Sequence, residues 1–259
     1  MNQLEIKQAF LANKRVYGTM ISSISPRWVP EIAKTGVDFV FIDTEHMPIG
    51  RTDMAWMCQA YKGVNLAPIV RVSAPDPYEA CRALDAGAAG VVFPYLESVS
   101  EVKKLVGAVK YRPLKGQKLQ DVLDGKAELS QKELNYLQQY NQGNLVILNI
   151  ESQIAVDRLE ELLSVPGVDA VFIGPHDLSI NLGIPEEYDS DLFEENVEKI
   201  IQACRKHGIG VGNHFSFGIE KQISWARKGM NICLWNVDYI RFVQIMQNDM
   251  KHFKESVEG

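Results

Sequence analysis

Short apolar segments alternate with longer segments of mixed polarity along almost the whole chain. The apolar segments are rich in Val, Ile and Phe and show little period-two alternation, which is typical of parallel strands covered on both faces. They predict eight strands, at residues 16–22, 39–43, 68–72, 90–95, 146–151, 170–174, 210–215 and 231–235.

The segments between these strands carry the spacing of amphipathic helices. They predict helices at residues 26–34, 52–61, 77–86, 100–109, 154–163, 191–207, 218–228 and 237–257. Eight strand–helix units in 259 residues fit a closed (β/α)8 barrel better than an open doubly wound sheet. We therefore expect an α/β fold with a single TIM-barrel domain over residues 1–259.

One segment interrupts the regular spacing. Between Tyr111 and Gly143 there is no strand pattern, and residues 131–142 are polar and rich in Gln. Long connections in compact domains are usually functional or disordered. The segment is interpreted either as a surface excursion with a short helix or as a lid over an active site, and polarity alone does not choose between them.

Composition narrows the range of partners. The chain has 46% hydrophobic and 23% charged residues, a net charge of −6 and no long basic run, which disfavours nucleic acid as a partner. No apolar stretch approaches the ~20 residues of a membrane-spanning helix, and the N-terminus lacks the apolar core of a signal peptide. The four cysteines are scattered, as expected for reduced thiols in a cytoplasmic protein.

Two acidic residues follow predicted strands directly. Glu151 ends the fifth strand, and Asp177 lies just beyond the sixth. In a TIM barrel these positions lie on the C-terminal rim, where active sites are built, and two carboxylates suit Mg²⁺ or Mn²⁺ with water and substrate as the remaining ligands. The alternative for Asp177 is a structural role at a helix start.

A second group of polar residues follows the second and third predicted strands. Asp43, Glu45 and His46 come together, and Arg71 ends the next strand. His46 fits a general base, with Asp85 as an orienting carboxylate or as a merely solvated residue. Arg71 fits a clamp for a carboxylate or enolate, or else a structural salt bridge to Asp43 or Glu45.

Four of these motifs occur in an order that resembles one family. They are Asp43-x-Glu45-His46, Val70-Arg71, Ile150-Glu151-Ser152 and Gly174-Pro175-x-Asp177-Leu-Ser. The pattern resembles the metal-dependent (class II) pyruvate aldolases of the HpcH/HpaI type, whose members cleave 2-keto-3-deoxyglucarate or 4-hydroxy-2-oxoheptanedioate. The resemblance extends from about Asn13 to the C-terminus.

The resemblance implies a role for each matching residue. Glu151 and Asp177 would hold a divalent metal that chelates a 2-oxo acid, and Arg71 would stabilise the enolate. His46, paired with Asp85, would act as base through a bound water. The backbone around Gly174 and Pro175 would bind the substrate carboxylate. The resemblance also implies a homo-oligomer, commonly a hexamer, in which the C-terminal helix packs on a neighbouring subunit.

The chain departs from the family pattern on the side of the carbonyl acceptor. Asn149 stands where the family usually has Gln, His176 replaces a small residue, and the segment after Tyr111 lacks the usual Arg-Gly. The acceptor is therefore left open between an aldehyde and acetyl-CoA, the latter as in a divergent branch that resembles a siderophore-pathway citrate synthase. A non-catalytic acid-binding barrel is a third alternative, and the role of His214 is left open.

Other cofactors are not expected. No Gly-x-Gly-x-x-Gly follows a predicted strand, which argues against a nicotinamide dinucleotide. No lysine ends a strand either, so neither pyridoxal phosphate nor a substrate Schiff base is expected.

Overall fold

Eight parallel strands close into a barrel in their order along the chain. The computed structural model describes residues 1–214 and 217–258. The strands are β1 (Val16–Met20), β2 (Phe39–Asp43), β3 (Ala67–Arg71), β4 (Gly90–Phe93), β5 (Leu145–Ile150), β6 (Ala170–Ile173), β7 (Gly210–Asn213) and β8 (Ile232–Val237). The predicted (β/α)8 barrel is thus confirmed.

Helices surround the barrel and connect its strands. They are α1 (Gln3–Leu11), α2 (Trp28–Ile32), α3 (Arg51–Gly63), α4 (Pro77–Ala86), α5 (Val99–Lys110), α6 (Gly116–Leu123), α7 (Gln131–Tyr140), α8 (Gln153–Asp157), α9 (Leu159–Leu163), α10 (Pro175–Asn181), α11 (Asp191–Lys206), α12 (Ile219–Lys228) and α13 (Asp238–Glu258). None of the helices within the described residues combines the length and apolarity that crossing a membrane requires.

Local sequence sets the ends of these helices. At α4 the side chain of Asp76 accepts hydrogen bonds from the backbone N–H groups of Tyr78 and Glu79, and Pro77 occupies the first turn. Gly87 ends the helix at φ 108°, a left-handed conformation that glycine adopts without strain. Each helix that is ended in this way returns the chain to the start of the next strand.

The hydrophobic core has two layers. Side chains such as Phe41, Ile69 and Phe172 fill the inside of the barrel, and a larger layer lies between the strands and the surrounding helices. The short helix α1 places Ile6 and Phe10 against the inner layer and closes the N-terminal end of the barrel. The opposite, C-terminal end of the barrel, where the strands finish, carries polar side chains.

The segment from Tyr111 to Gly143 forms two helices, α6 and α7, on the surface. Asn141 donates hydrogen bonds from its amide to the carbonyl oxygens of Lys110 and Arg112, and the Gly143 turn packs against Gln3 and Leu4. The segment thus packs beside α5 and α1, and Lys115 at its first helix lies over the ring of Tyr78 at the start of α4.

The sequence patterns did not predict every element. Helices α1 and α10 were not predicted, and the segment for which one alternative was a short helix contains two, α6 and α7. The helix predicted at residues 154–163 is divided at Arg158 into α8 and α9. The seventh strand was predicted at residues 210–215, of which Phe215 lies outside the described residues.

Candidate active site

The fifth strand delivers Glu151 to the C-terminal end of the barrel. Its side chain is 4% exposed, and fixed donors bind both carboxylate oxygens. The backbone N–H of Tyr95 lies 2.8 Å from Oε2, and the amide Nδ2 of Asn149 lies 2.9 Å from Oε1. Tyr95 holds a positive φ of 51°, which turns its N–H toward the carboxylate.

Gly174, between β6 and α10, packs directly against Glu151. The strands β5 and β6 pair Ile150 with Ile173, so the next residues on each strand lie side by side. A Cβ atom on Gly174 would lie well inside 3.0 Å of the Glu151 carboxylate. Asp177, half-buried in the first turn of α10, is three residues further along the chain.

The residues expected to bind the substrate carboxylate lie at this same junction. Pro175 is buried at the start of α10, next to Gly174. His176 is exposed, and its imidazole Nδ1 lies 3.6 Å from the carboxylate of Glu186.

Arg71 lies at the end of β3, held by the carboxylates that follow β2. Its Nε and Nη2 donate to the two oxygens of Asp43 at 2.9 and 2.6 Å, and Nε also lies 3.3 Å from Glu45. The predicted structural salt bridge therefore exists. It uses one side of the guanidinium, and Nη1 points elsewhere.

His46 and Asp85 do not meet within this chain. The imidazole Nε2 of His46 lies 3.6 Å from Glu45, on a side chain that is 63% exposed. Asp85, on α4, pairs with Arg112. Among the residues described here, the carboxylate nearest the His46 ring is thus that of Glu45, while Asp43 faces the backbone N–H of His46.

His214 lies at the centre of this group, although sequence patterns gave it no defined role. Its Nε2 lies 3.5 Å from Arg71 Nη1, 3.4 Å from Asn149 Nδ2 and 3.5 Å from Glu151 Oε1. The only signal in the sequence was its position at the end of the seventh predicted strand. Many loop residues without a functional role occupy positions of this kind.

Burial and neighbouring charges shift the pKa values of these groups. Burial alone would raise the pKa of Asp43, but the hydrogen bonds and charge of Arg71 outweigh it and lower that pKa. Burial alone would likewise raise the pKa of Glu151. His214, the Tyr95 N–H and Arg71 outweigh burial and lower that pKa. Burial lowers the pKa of His214, and Glu151 opposes that shift.

The pKa of Glu45 shifts in the opposite direction. Burial raises the pKa of its carboxyl, aided by the charges of Glu151 and Asp43 and opposed by Arg71. Three carboxylates thus face the single guanidinium of Arg71, and the site carries an excess of negative charge.

These residues fit a divalent cation. Besides the excess negative charge, the buried acceptor atoms Glu45 Oε2 and Asn149 Oδ1 have no hydrogen-bond partner among the described residues, and Gly174 packs against the Glu151 carboxylate where a side chain would overlap it. No cluster of three or more His, Cys, Asp or Glu side chains within the described residues could enclose a metal. A two-carboxylate set suits Mg²⁺, which retains several waters.

Comparison with known proteins decides the family. A model of the HpcH/HpaI aldolase/citrate lyase family matches residues 17–244. The chain belongs to this family. Membership agrees with the closed barrel and with carboxylates at its C-terminal rim.

Similar proteins of the HpcH/HpaI family are aldolases and a synthase. The 2-dehydro-3,6-dideoxy-6-sulfogluconate aldolase of Pseudomonas putida is 35% identical over 198 residues, 75% of this chain and 76% of that protein. The 2-keto-3-deoxy-L-rhamnonate aldolase of Salmonella paratyphi A is 29% identical over 92% of this chain and 88% of that protein. The crystal structure of citrate synthase SbnG has a TM-score of 0.83 at 26% identity, covering 98% of this chain and 99% of that chain.

This HpcH/HpaI chain is therefore an enzyme of the carbon–carbon lyase class. The alternative of a non-catalytic acid-binding barrel loses its support. Family membership alone does not assign a role to each side chain of the site.

Proposed function

We propose that the chain is a metal-dependent class II aldolase that acts on a 2-oxo acid, pyruvate or oxaloacetate, through its enolate. The observation that carries the proposal is the buried Glu151 carboxylate, held by two donors and packed against Gly174 within a site of excess negative charge.

Glu151 and Asp177 would hold the cation, for which Mg²⁺ and Mn²⁺ are the best candidates. When bound there, a divalent cation would polarise the keto group of the 2-oxo acid and lower the cost of forming its enolate. The donors from Tyr95 and Asn149 fix the Glu151 carboxylate, so it needs little reorganisation on binding.

Arg71 would bind the oxygen on which negative charge develops. Asp43 occupies Nε and Nη2, which keeps the guanidinium in one orientation with Nη1 on the side of His214. Preorganised donors of this kind stabilise developing charge more than mobile ones. The backbone of Gly174, Pro175 and His176, at the start of α10, would bind the substrate carboxylate, and Asn149 would line the acceptor side.

His46 would act as the base, through a water molecule. Its exposure gives it access to solvent and substrate, and Glu45 supplies the carboxylate in contact with its ring. Asp85 remains proposed as its orienting partner. The pH dependence of kcat separates the two, because replacing the true partner, in Glu45→Gln or Asp85→Asn, shifts the pH profile and replacing the other does not.

The acceptor is proposed to be an aldehyde, as the named aldolase relatives suggest. The second candidate, condensation of oxaloacetate with acetyl-CoA to citrate for siderophore biosynthesis, is favoured by the likeness to citrate synthase SbnG over 98% of this chain. The two candidates share the enolate-forming residues and differ in the second substrate.

Product analysis tests the proposal. Purified enzyme with Mg²⁺ receives pyruvate plus succinic semialdehyde, or oxaloacetate with and without acetyl-CoA. A 4-hydroxy-2-oxo acid product supports the aldolase, whereas citrate that forms only with acetyl-CoA supports the synthase. Both activities should disappear with a chelator, return with Mg²⁺ and be absent from Glu151→Gln and Asp177→Ala. Full turnover by either variant in chelator would refute the metal assignment.

The enzyme is also proposed to be a cytoplasmic homo-oligomer, a hexamer by its resemblance to the family. All four cysteines are free thiols, which fits a reducing compartment. The C-terminal helix α13 exposes an apolar stripe, and the outer face of β1 and β8 has a groove of about 470 Å³ lined by residues such as Tyr17, Ile223 and Trp235. A second copy of the chain would cover both surfaces.

A further inference from the structure

His214 joins the two parts of the proposed site. Its Nε2 lies 3.5 Å from Arg71 Nη1, the end of the guanidinium that Asp43 does not use. The same nitrogen lies 3.4 Å from Asn149 Nδ2 and 3.5 Å from Glu151 Oε1. One imidazole atom thus faces the proposed enolate-binding donor, the proposed metal ligand and the amide that fixes this ligand.

The faces of the His214 ring lie against the apolar core of the barrel. The ring is stacked on Phe41, with centroids 6.4 Å apart and planes at 18°, and lies 6.5 Å from Phe172. Its side chain is only 13% exposed. His214 therefore lies at the base of the site. Its ring packs on aromatic side chains, and its Nε2 faces the polar groups of the site.

Other side chains would not meet both requirements. A lysine would bring a second cation next to Arg71, and a carboxylate would add to the excess negative charge. A leucine would keep the apolar packing but would leave Arg71 Nη1 without the facing nitrogen. An imidazole ring satisfies packing and polarity together.

We infer that His214 is a positioning residue that fixes Arg71 and Glu151 relative to each other. The inference rests on the proposed function of that site. His214 acts through these two side chains and not by contact with the reacting atoms. Groups that orient metal ligands typically contribute about 10- to 100-fold to metal affinity or activity, and misplaced reacting groups slow the chemical step.

Three variants test this role. His214→Leu removes the polar edge and keeps an apolar side chain, whereas His214→Gln and His214→Asn retain a polar group. His207→Leu is the matched control, because His207 lies at the end of α11 and contacts Glu160 outside the site. Melting temperature is measured for each, so that only folded variants are compared.

The first readout is Mn²⁺ binding to the metal-free protein, followed by electron paramagnetic resonance of free Mn²⁺. His214→Leu should bind Mn²⁺ about 10-fold more weakly than wild type or worse, and His214→Gln or His214→Asn should recover part of the loss. The second readout is kcat and KM for Mg²⁺-dependent oxaloacetate decarboxylation. We expect His214→Leu to lower kcat more than it changes KM.

The outcomes separate the inference from the proposed function. Wild-type Mn²⁺ affinity and kcat in His214→Leu, or amide variants no better than leucine, would overturn the positioning role. If the proposed function itself is wrong, the wild-type protein and Glu151→Gln will bind Mn²⁺ equally poorly. Binding that depends on Glu151 but not on His214 would refute the inference alone.

Discussion

Arg71 shows how a single buried charge is accommodated in this barrel. It is 4% exposed, and Asp43, which is 1% exposed, binds it through two hydrogen bonds. Removing one partner of a buried ion pair leaves the other charge without compensation, which is far more costly than the net value of the pair.

Asp43→Asn should therefore destabilise the fold. The amide keeps the size of the side chain but loses the charged pair, while Glu45 at 3.3 Å still offsets part of the Arg71 charge, so the free energy of unfolding should fall by about 2 kcal/mol. Urea denaturation at pH 7 measures the loss. Asp53→Asn, on a rim helix outside the site, serves as the control and should stay within about 0.5 kcal/mol of wild type.

The same carboxylate predicts a pH dependence. Because the pKa of Asp43 is lowered in the folded state, its contribution to stability is fully present above the unfolded pKa of about 3.9. It is lost as pH falls through the lower folded pKa. Between pH 5 and acid unfolding, wild type should lose more stability than Asp43→Asn in urea titrations. Equal losses would show that Asp43 is not the group responsible.

At the scale of elements, the junction between β6 and α10 decides whether the site can form. Gly174 has φ −94°, which any residue can adopt, so only the space occupied by Glu151 demands glycine there. The sequence placed Gly174 at a strand end, and by resemblance in the backbone that binds the substrate carboxylate, but it gave no sign of this steric requirement.

Gly174→Ala should displace the Glu151 carboxylate. A Cβ would overlap this group, so we expect at least a 10-fold loss of Mn²⁺ affinity and of kcat, with the barrel still folded by circular dichroism. Gly50→Ala is the matched control: Gly50 also precedes a helix at negative φ, and its Cβ would make only an ordinary 3.4 Å contact. Equal metal affinity in both variants would contradict the steric argument.

Amphipathic periodicity also has clear limits at this scale. The apolar segments located all eight strands, because strands covered on both faces must be apolar throughout. The same patterns missed α10, a seven-residue helix, and α6, which buries none of its residues. A helix that contributes little to the core carries little periodic signal.

Within the part of the chain that the structure describes, one long helix packs against the barrel only at its start. Helix α13 runs for 21 residues, and Asp238 is its one buried residue. Asp238 accepts hydrogen bonds from the backbone N–H groups of Ser22 and Ser23, which fixes the start of the helix on the barrel. Beyond it an apolar stripe is exposed, formed by Tyr239, Phe242, Met246, Met250, Phe253 and Val257.

Charges on this stripe should prevent assembly. In Phe242→Glu/Met246→Glu, two half-exposed apolar side chains become anions that oppose burial against another subunit. Sedimentation velocity should show an oligomer for wild type and monomers for the double variant. Glu255→Gln/Lys251→Gln, on the same helix, should assemble like wild type. An unchanged sedimentation coefficient in the charged variant would remove α13 from the interface.

The sequence by itself determined the barrel, its eight strands and the rim positions of Asp43, Glu45, Arg71 and Glu151, because strand ends can be read from local apolar patterns. Only the tertiary structure decided which of these side chains meet. It placed Glu45, and not Asp85, beside His46, packed Gly174 against Glu151 and brought His214 between Arg71 and Glu151. The physical reason is that contacts such as Arg71–Asp43 and Arg71–His214 join residues 28 and 143 positions apart in sequence, which only closure of the barrel brings within a few ångströms.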